Sequence, residues 1–132
     1  MTIVVDSREQ HPYQFPSDVS VEISALPIAD YSVKGFENEI AVERKSLGDF
    51  LGSITQGRER FTKELRQFRS FRFAALMIET SWPDLLLGLY PQSRVHPSSV
   101  IGSLMAFVMK YSVVPILCGD HATGAILTER LL

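Results

Sequence analysis

The chain has 132 residues, 45% of them apolar and 21% charged, with a formal net charge of -2. That composition suits one folded domain over residues 1–132 with its own core, and it excludes a disordered or low-complexity chain. A single cysteine, Cys118, excludes an internal disulfide framework, and no apolar stretch reaches the ~18 residues of a membrane span; a soluble protein of a reducing, intracellular compartment is expected.

In chain order, Ile3-Val4-Val5 reads as a short buried strand that delivers Asp6, Arg8 and Glu9 at its C-terminal end. Pro12 and Pro16 break the loop from His11 to Asp18. Val19 to Ser24 alternates apolar with polar, the period of a half-buried strand, and Pro27 follows it. Asp30 to Lys45 is predicted to form a hairpin turning through Gly35-Phe36-Glu37-Asn38. With the turn centred between Phe36 and Glu37, Tyr31 faces Val42, Val33 faces Ile40, Lys34 faces Glu39, and Asp30 lies opposite Glu43. This register gathers Tyr31, Val33, Ile40 and Val42 on one face and Asp30, Glu43 and Lys45 on the other. A slip of one residue would scramble both sets.

Ser46 is placed to cap a helix beginning at Leu47, with Phe50, Leu51 and Ile54 as its apolar stripe and Asp49 in its first turn. Gly57 breaks or bends it. From Arg58 to Ser70, Phe61, Leu65 and Phe68 form one narrow stripe of a second helix, and Arg58, Arg60, Lys63, Arg66 and Arg69 share the remaining arc. Six of the chain's 13 Lys and Arg residues fall between Arg58 and Arg72, against only Glu59 and Glu64. The net charge argues against a polyanionic partner, but phosphates respond to a local patch, so this arc is a candidate nucleic-acid surface.

Phe73 to Ile78 is a continuous apolar run expected as a strand buried on both faces. Trp82 to Tyr90 reads as a helix with Leu85, Leu86, Leu87 and Leu89 around its circumference, and Tyr90 to Pro97 as a loop. Ser98 or Ser99 is expected to cap a helix to about Lys110, where Val100, Ile101, Leu104, Phe107 and Val108 form one face and Met105 and Met109 extend it. A helix this apolar is central to the core or paired with another subunit. Val113 to Cys118 is expected as a second buried strand and His121 to Leu131 as a closing helix. Strands alternating with helices after Lys45 give an α/β fold, a central mixed sheet flanked by helices.

Two carboxylates set opposite each other across a strand pair destabilise it unless a cation lies between them. Glu43 and Lys45, two apart on a strand, project to one face while Arg44 points away. This is the spacing of a metal ligand and a water activator, although taken alone such a triplet is more often a solvated strand end. Oxygen donors without clustered His or Cys favour Mg²⁺, with Mn²⁺ as a substitute, over Zn²⁺. His11, His96 and His121 lie far apart and read as surface residues, and Trp82 and the methionines read as core.

The sequence resembles the nuclease domain of XPF-type structure-specific endonucleases. The family pattern Gly-Asp, spacer, Glu-Arg-Lys, three residues, Asp occurs here as Ala29-Asp30, Glu43-Arg44-Lys45 and Asp49, with Ala29 in place of the glycine. Val5-Asp6-Ser7-Arg8-Glu9 is similar to the family's Asp-x-Arg-Glu, and Gly57-Arg58 to its Gly-Arg. The resemblance covers nearly the whole chain and implies a restriction-endonuclease-like fold. No paired helix-hairpin-helix domain, common in the family, is seen in the sequence.

The resemblance implies metal-dependent DNA endonuclease activity at branched or junction-containing DNA such as forks and flaps. A non-catalytic DNA-binding or dimer-scaffold domain, or a nicking enzyme without branch specificity, stands as the alternative. Asp30 and Glu43 would be direct metal ligands with the Arg44 carbonyl as a third. Lys45 would position or help deprotonate the attacking water. Asp6 and Asp49 would bind a second metal or orient Lys45 and Arg58, and Arg8, Glu9 and Arg58 would complete the site with both arginines on phosphate. A homo- or heterodimer through the C-terminal helices is also implied.

Overall fold

In the computed structural model, which describes residues 1–90 and 93–132, one six-stranded sheet runs through the molecule in the order β2-β1-β3-β4-β5-β6. The strands are β1 (Thr2–Asp6), β2 (Ser20–Ser24), β3 (Tyr31–Val33), β4 (Ile40–Ser46), β5 (Phe73–Glu79) and β6 (Val113–Leu117). The helices are α1 (Leu47–Ile54), α2 (Arg58–Phe68), α3 (Trp82–Leu86), α4 (Pro97–Tyr111) and α5 (His121–Leu131). Only β3 runs against the others, since β1 pairs parallel with β2 and antiparallel with β3, β3 antiparallel with β4, and β4, β5 and β6 parallel in turn. One edge of the sheet therefore collects the C-terminal ends of five strands and the N-terminal end of β3, which is where α/β sheets place their ligands.

Alternation along the central strands divides the core in two. Ala41, Ala74, Leu76 and Ile78 face Phe50, Leu51 and Ile54 of α1, Phe61, Leu65 and Phe68 of α2, Leu85 of α3, and Val100, Leu104 and Phe107 of α4. Val42, Ala75 and Met77 face the other way, onto Tyr13, Cys118 and Ala125 of α5. β5 is buried on both faces, as its unbroken apolar run predicts.

The expected register of the β3–β4 pair is present, with Tyr31 opposite Val42. Regular pairing stops there: Val33 pairs with Ile3 on β1, Lys34 N–H donates to the Thr2 carbonyl, and the Glu39 carbonyl accepts from Phe73 N–H. The hairpin splays because Ile40 N–H donates to the Phe36 carbonyl and the Ile40 carbonyl accepts from Ser32 Oγ, so the expected Val33–Ile40 and Lys34–Glu39 pairs do not form. Gly35, at φ 89°, makes the turn possible.

Five other expectations change. β2 is an exposed edge strand, with Val21 and Ile23 at 44% and 74% exposure. β6 is the opposite edge and only partly buried; Pro115 lacks a ladder donor and is tolerated there for that reason. α3 is five residues long, since the chain turns at Gly88 (φ 69°), and only Leu85 is buried while Leu86, Leu87 and Leu89 are exposed. α4 starts at Pro97, and His96, through Nδ1 accepting from Ser98 N–H, is its cap in place of Ser98 or Ser99. Trp82, Met105 and Met109 are exposed rather than core. Of the expected loop from Tyr90 to Pro97, Pro91 and Gln92 lie outside the described residues.

Candidate active site

The chain reaches Asp30 through Ala29, which adopts φ 68°, a left-handed conformation that favours glycine. Asp30 is held by its backbone on both sides: its N–H donates to the Val42 carbonyl at 3.1 Å, and its carbonyl accepts from Asp6 N–H at 2.8 Å. Where β3 ends, the Asp30 side chain takes over as the partner of β4, Oδ2 accepting from Arg44 N–H at 2.8 Å. This tie fixes the carboxylate beside Glu43.

Glu43 and Lys45 lie on the α1–α4 face of β4, as the i, i+2 spacing predicts, with Lys45 Nζ 3.7 Å from Glu43 Oε1 and both side chains 15% exposed. The ammonium also lies 5.0 Å from the centroid of the Phe61 ring, a cation–π contact that fixes its direction.

Burial pushes both carboxyls above the ordinary carboxylate range. For Glu43 the next cause is the Asp30 charge, with Lys45 acting in the opposite sense. For Asp30 burial is opposed first by the Arg44 N–H, while Glu9 and Asp6 push it further up. Carboxyls whose proton affinity is raised by burial and then by neighbouring acids mark a place where a positive charge is missing. Hard oxygen donors of this kind fit a hard divalent cation. Among the described residues no group of three or more His, Cys, Asp or Glu side chains is placed to hold a metal ion.

The remaining predicted residues divide. Asp6 is buried and fully engaged: Oδ1 accepts from Leu26 N–H and Arg8 Nη2, and Oδ2 from the Arg8 N–H and Nε. Burial alone would raise its pKa, yet these donors and the Arg8 charge lower it. The geometry makes Asp6 the anchor of the turn after β1 rather than a ligand of a second metal. Arg8 is correspondingly committed, with Nη2 also on the Leu26 carbonyl at 2.7 Å. Glu9 is 8% exposed, accepts from His11 N–H at 2.9 Å and lies 3.6 Å from Arg44 Nη1, close enough to bear on Asp30 and Glu43.

Asp49 sits in the first turn of α1, its N–H capped by Ser46 Oγ at 3.2 Å and its side chain at the rim of an open cleft. That cleft, about 470 Å³, is bounded by Lys45, Asp49, Phe61, Arg60 and Glu64 and floored by Gly48 and Gly52. Arg58 does not join it. Its Nη1 donates to the Ile54 carbonyl at 3.2 Å and Ser103 Oγ at 3.3 Å, tying α2 to α4, so the expected link to Asp49 is absent. Arg60, 89% exposed and 3.9 Å from Glu64, is the arginine at the cleft.

Arg58, Arg60, Lys63, Arg66 and Arg69 are all exposed, and the strip continues onto α4, where Lys110 and Tyr111 share a groove with Arg66 and Arg69. Lys110 lies 41 positions beyond Arg69, so sequence proximity gives no hint of it. Glu64 was legible only as an acid among bases; its charge also raises Glu43.

On the opposite face of β4, Arg44 forms a network that sequence spacing does not reveal. Its Nη2 and Nε reach Glu79 Oε1 and Oε2 at 2.9 and 3.3 Å. His121 Nδ1 lies 2.6 Å from Glu79 Oε2, and its ring packs 4.7 Å from that of Tyr13. The reading of His121 as an ordinary surface residue is thereby corrected.

The ERCC4 domain matches residues 5–131 of this chain. Among solved structures, XPF from Aeropyrum pernix superposes with a TM-score of 0.80 at 23% identity, over 99% of this chain and 59% of that one. XPF from Aeropyrum pernix in complex with DNA gives 0.79 at 23%, over 98% of this chain and 62% of that one. The chain thus spans about three fifths of the length of these structures. No curated protein matches it.

Proposed function

The chain belongs to the ERCC4 domain family, the XPF-type nuclease domains, and on that premise we propose that it is a metal-dependent DNA endonuclease hydrolysing phosphodiester bonds at branched or junction-containing DNA. The observation that carries the reading is the Asp30–Glu43 pair: two largely buried carboxyls, each raised in pKa, with the Lys45 ammonium 3.7 Å from one of them. Buried like charges cost stability, so their retention calls for a function.

Mg²⁺, with Mn²⁺ as a substitute, would be held by Asp30, Glu43 and the Arg44 carbonyl, and when bound it would supply charge neutralisation on the phosphate and a lowered pKa for water. The chain's own part is positional. Arg44 N–H holds Asp30 in place, and Phe61 aims Lys45 at the space beside Glu43, where its charge can orient a water and offset the phosphate. Gly48 and Gly52 leave the cleft floor bare, so a sugar-phosphate backbone can approach closely, and Arg60 stands at its rim. The exposed basic strip of α2, continued by Lys110, supplies the duplex-binding surface. Binding of DNA by the Aeropyrum pernix relative is consistent with this.

We also propose pairing of two chains through the C-terminal helices, supported by Met105, Val108 and Met109 on α4 at 46%, 41% and 83% exposure. Sedimentation at micromolar concentration should show a dimer; a monomer would oppose this part of the reading.

The activity is tested by incubating the protein with labelled fork, flap, nicked and intact duplexes in Mg²⁺ or Mn²⁺. Cleavage of forks or flaps in preference to intact duplex is expected. Equal cleavage of all would indicate a nicking enzyme without branch specificity, and DNA binding without cleavage a scaffold domain.

A further inference from the structure

We infer that Glu79, backed by His121, is a positioning residue for the candidate active site, acting from the far face of the sheet through Arg44 on Asp30 and Glu9. The inference rests on the reading of Asp30 and Glu43 as the metal-binding pair.

The ends of strands fray unless something holds them, and Arg44 lies two residues from the end of β4. On its β3 side the only partner for its N–H is the Asp30 carboxylate, because β3 has already ended. The direction of that N–H, and so the placement of Asp30, depends on the backbone of a strand terminus. On its β5 side the backbone is held by the ladder, which runs on to Ser46 opposite Glu79, and the Arg44 side chain adds a second hold: the guanidinium is 12% exposed, engages both oxygens of Glu79, and passes 3.6 Å from Glu9 Oε1. Glu9 is thereby kept beside Asp30, where its charge bears on both metal-binding carboxyls.

Glu79 is itself fixed from two sides. It is the last residue of β5, in register with Ser46, and His121, the first residue of α5, reaches its Oε2. The Tyr13 ring packs on His121, and Asp120 caps α5 through Thr123 N–H at 2.7 Å, so α5 cannot rotate away from Glu79 cheaply. A buried arginine–glutamate pair contributes little net stability compared with apolar side chains of similar volume, so stability alone does not account for its presence here. A planar fork engaging two oxygens does give angular precision, which is what holding a metal-binding carboxylate requires.

The test is hydrogen exchange of individual amides in the metal-free protein, comparing the wild type with Glu79→Gln, which keeps the shape and removes the charge, and His121→Ala, which loosens Glu79 at a half-exposed site. This readout needs neither DNA nor turnover, so it judges the network even if the chain cleaves nothing. The Arg44 amide is expected to exchange about tenfold faster in Glu79→Gln, and by a smaller factor in His121→Ala, while the Ala41 and Leu76 amides keep their wild-type rates. Mn²⁺ affinity, measured by titration on the same proteins, is expected to fall about 10–100-fold. An unchanged Arg44 amide, or an equal acceleration along all of β4 and β5, overturns the inference. Selective acceleration with unaltered Mn²⁺ affinity would keep the network but overturn its action on the metal-binding pair.

Discussion

Arg44 donates its backbone N–H to Oδ2 of Asp30 at 2.8 Å, a side-chain acceptor standing where the neighbouring strand has run out. The bond sets Asp30 beside Glu43 and commits one carboxylate oxygen to the protein. Under the proposed function the other would face the cation. It also makes the site's electrostatics depend on two charges that repel while the site holds no metal.

That repulsion predicts the pH dependence of stability. Burial raises the folded-state pKa of Asp30 and Glu43, with the Glu9 and Asp6 charges adding to Asp30 and the Asp30 charge to Glu43, whereas unfolded carboxyls titrate at about 4. Above that value the folded chain binds more protons than the unfolded one, so metal-free stability falls as pH rises, until both groups are ionised in the folded state. Asp6 acts in the opposite sense, its lowered pKa giving stability that is lost as pH falls through its folded value. Denaturant unfolding across this range should show the alkaline-side loss in the wild type and a flatter profile in Glu43→Gln. Saturating Mg²⁺ should recover about 2–3 kcal/mol at neutral pH if present at ~100 times its dissociation constant.

Ala29→Gly should stabilise the fold. An alanine at φ 68° carries about 1–2 kcal/mol of steric cost, and glycine's greater unfolded-state entropy returns about 0.5–1 kcal/mol of that. A net gain of about 0.5–1 kcal/mol is expected from urea midpoints at unchanged slope, with DNA cleavage retained.

How much of the site was readable without coordinates follows from which signals are local. Tyr31 faces Val42 as the apolar pattern predicts, and that pairing brings the Asp30 carboxylate to the Arg44 N–H beside Glu43. The cap at Ser46 and the break at Gly57 rest on neighbours in sequence, and α1 and α2 appear where expected. Glu79 and His121 meet Arg44 across 35 and 77 residues, a closure that no pattern within one element can announce. Asp6 was legible as an acid beside an arginine, but not as one whose oxygens are all taken. The apolar run at Leu85 to Leu89 looked like a helix because periodicity does not report Gly88 turning the chain. β2 and β6 misled because burial of an edge strand depends on which helix lies over it.

The basic strip should behave as a set of phosphate contacts. Arg66→Gln and Arg69→Gln are each expected to weaken binding to every duplex alike and to lower the slope of log affinity against log salt by about 1. Lys110→Gln should do the same if α4 continues the strip, whereas Glu59→Gln should not weaken binding. Fluorescence anisotropy at several salt concentrations measures all four.

Gly124 in α5 is a packing requirement of the face that carries His121. A methyl group there would meet the Tyr13 hydroxyl and ring, and the hydroxyl is buried without a partner. Gly124→Ala gains about 1 kcal/mol of helix propensity and loses about 1–3 kcal/mol to overpacking, so net destabilisation is expected. In a Tyr13→Phe background the loss should shrink, and a double-mutant cycle measures that coupling.

The central claim is that Asp30 and Glu43 hold a catalytic cation for phosphodiester hydrolysis. It is tested most directly by cleavage of one labelled flap substrate in Mg²⁺, comparing the wild type with Glu43→Gln. The account predicts Mg²⁺-dependent cleavage by the wild type and a loss of about a hundred- to a thousandfold in Glu43→Gln, the scale of one lost charge-stabilising group, with DNA affinity and folding intact. Equal cleavage by both proteins, or cleavage by the wild type undiminished in excess chelator, would contradict it.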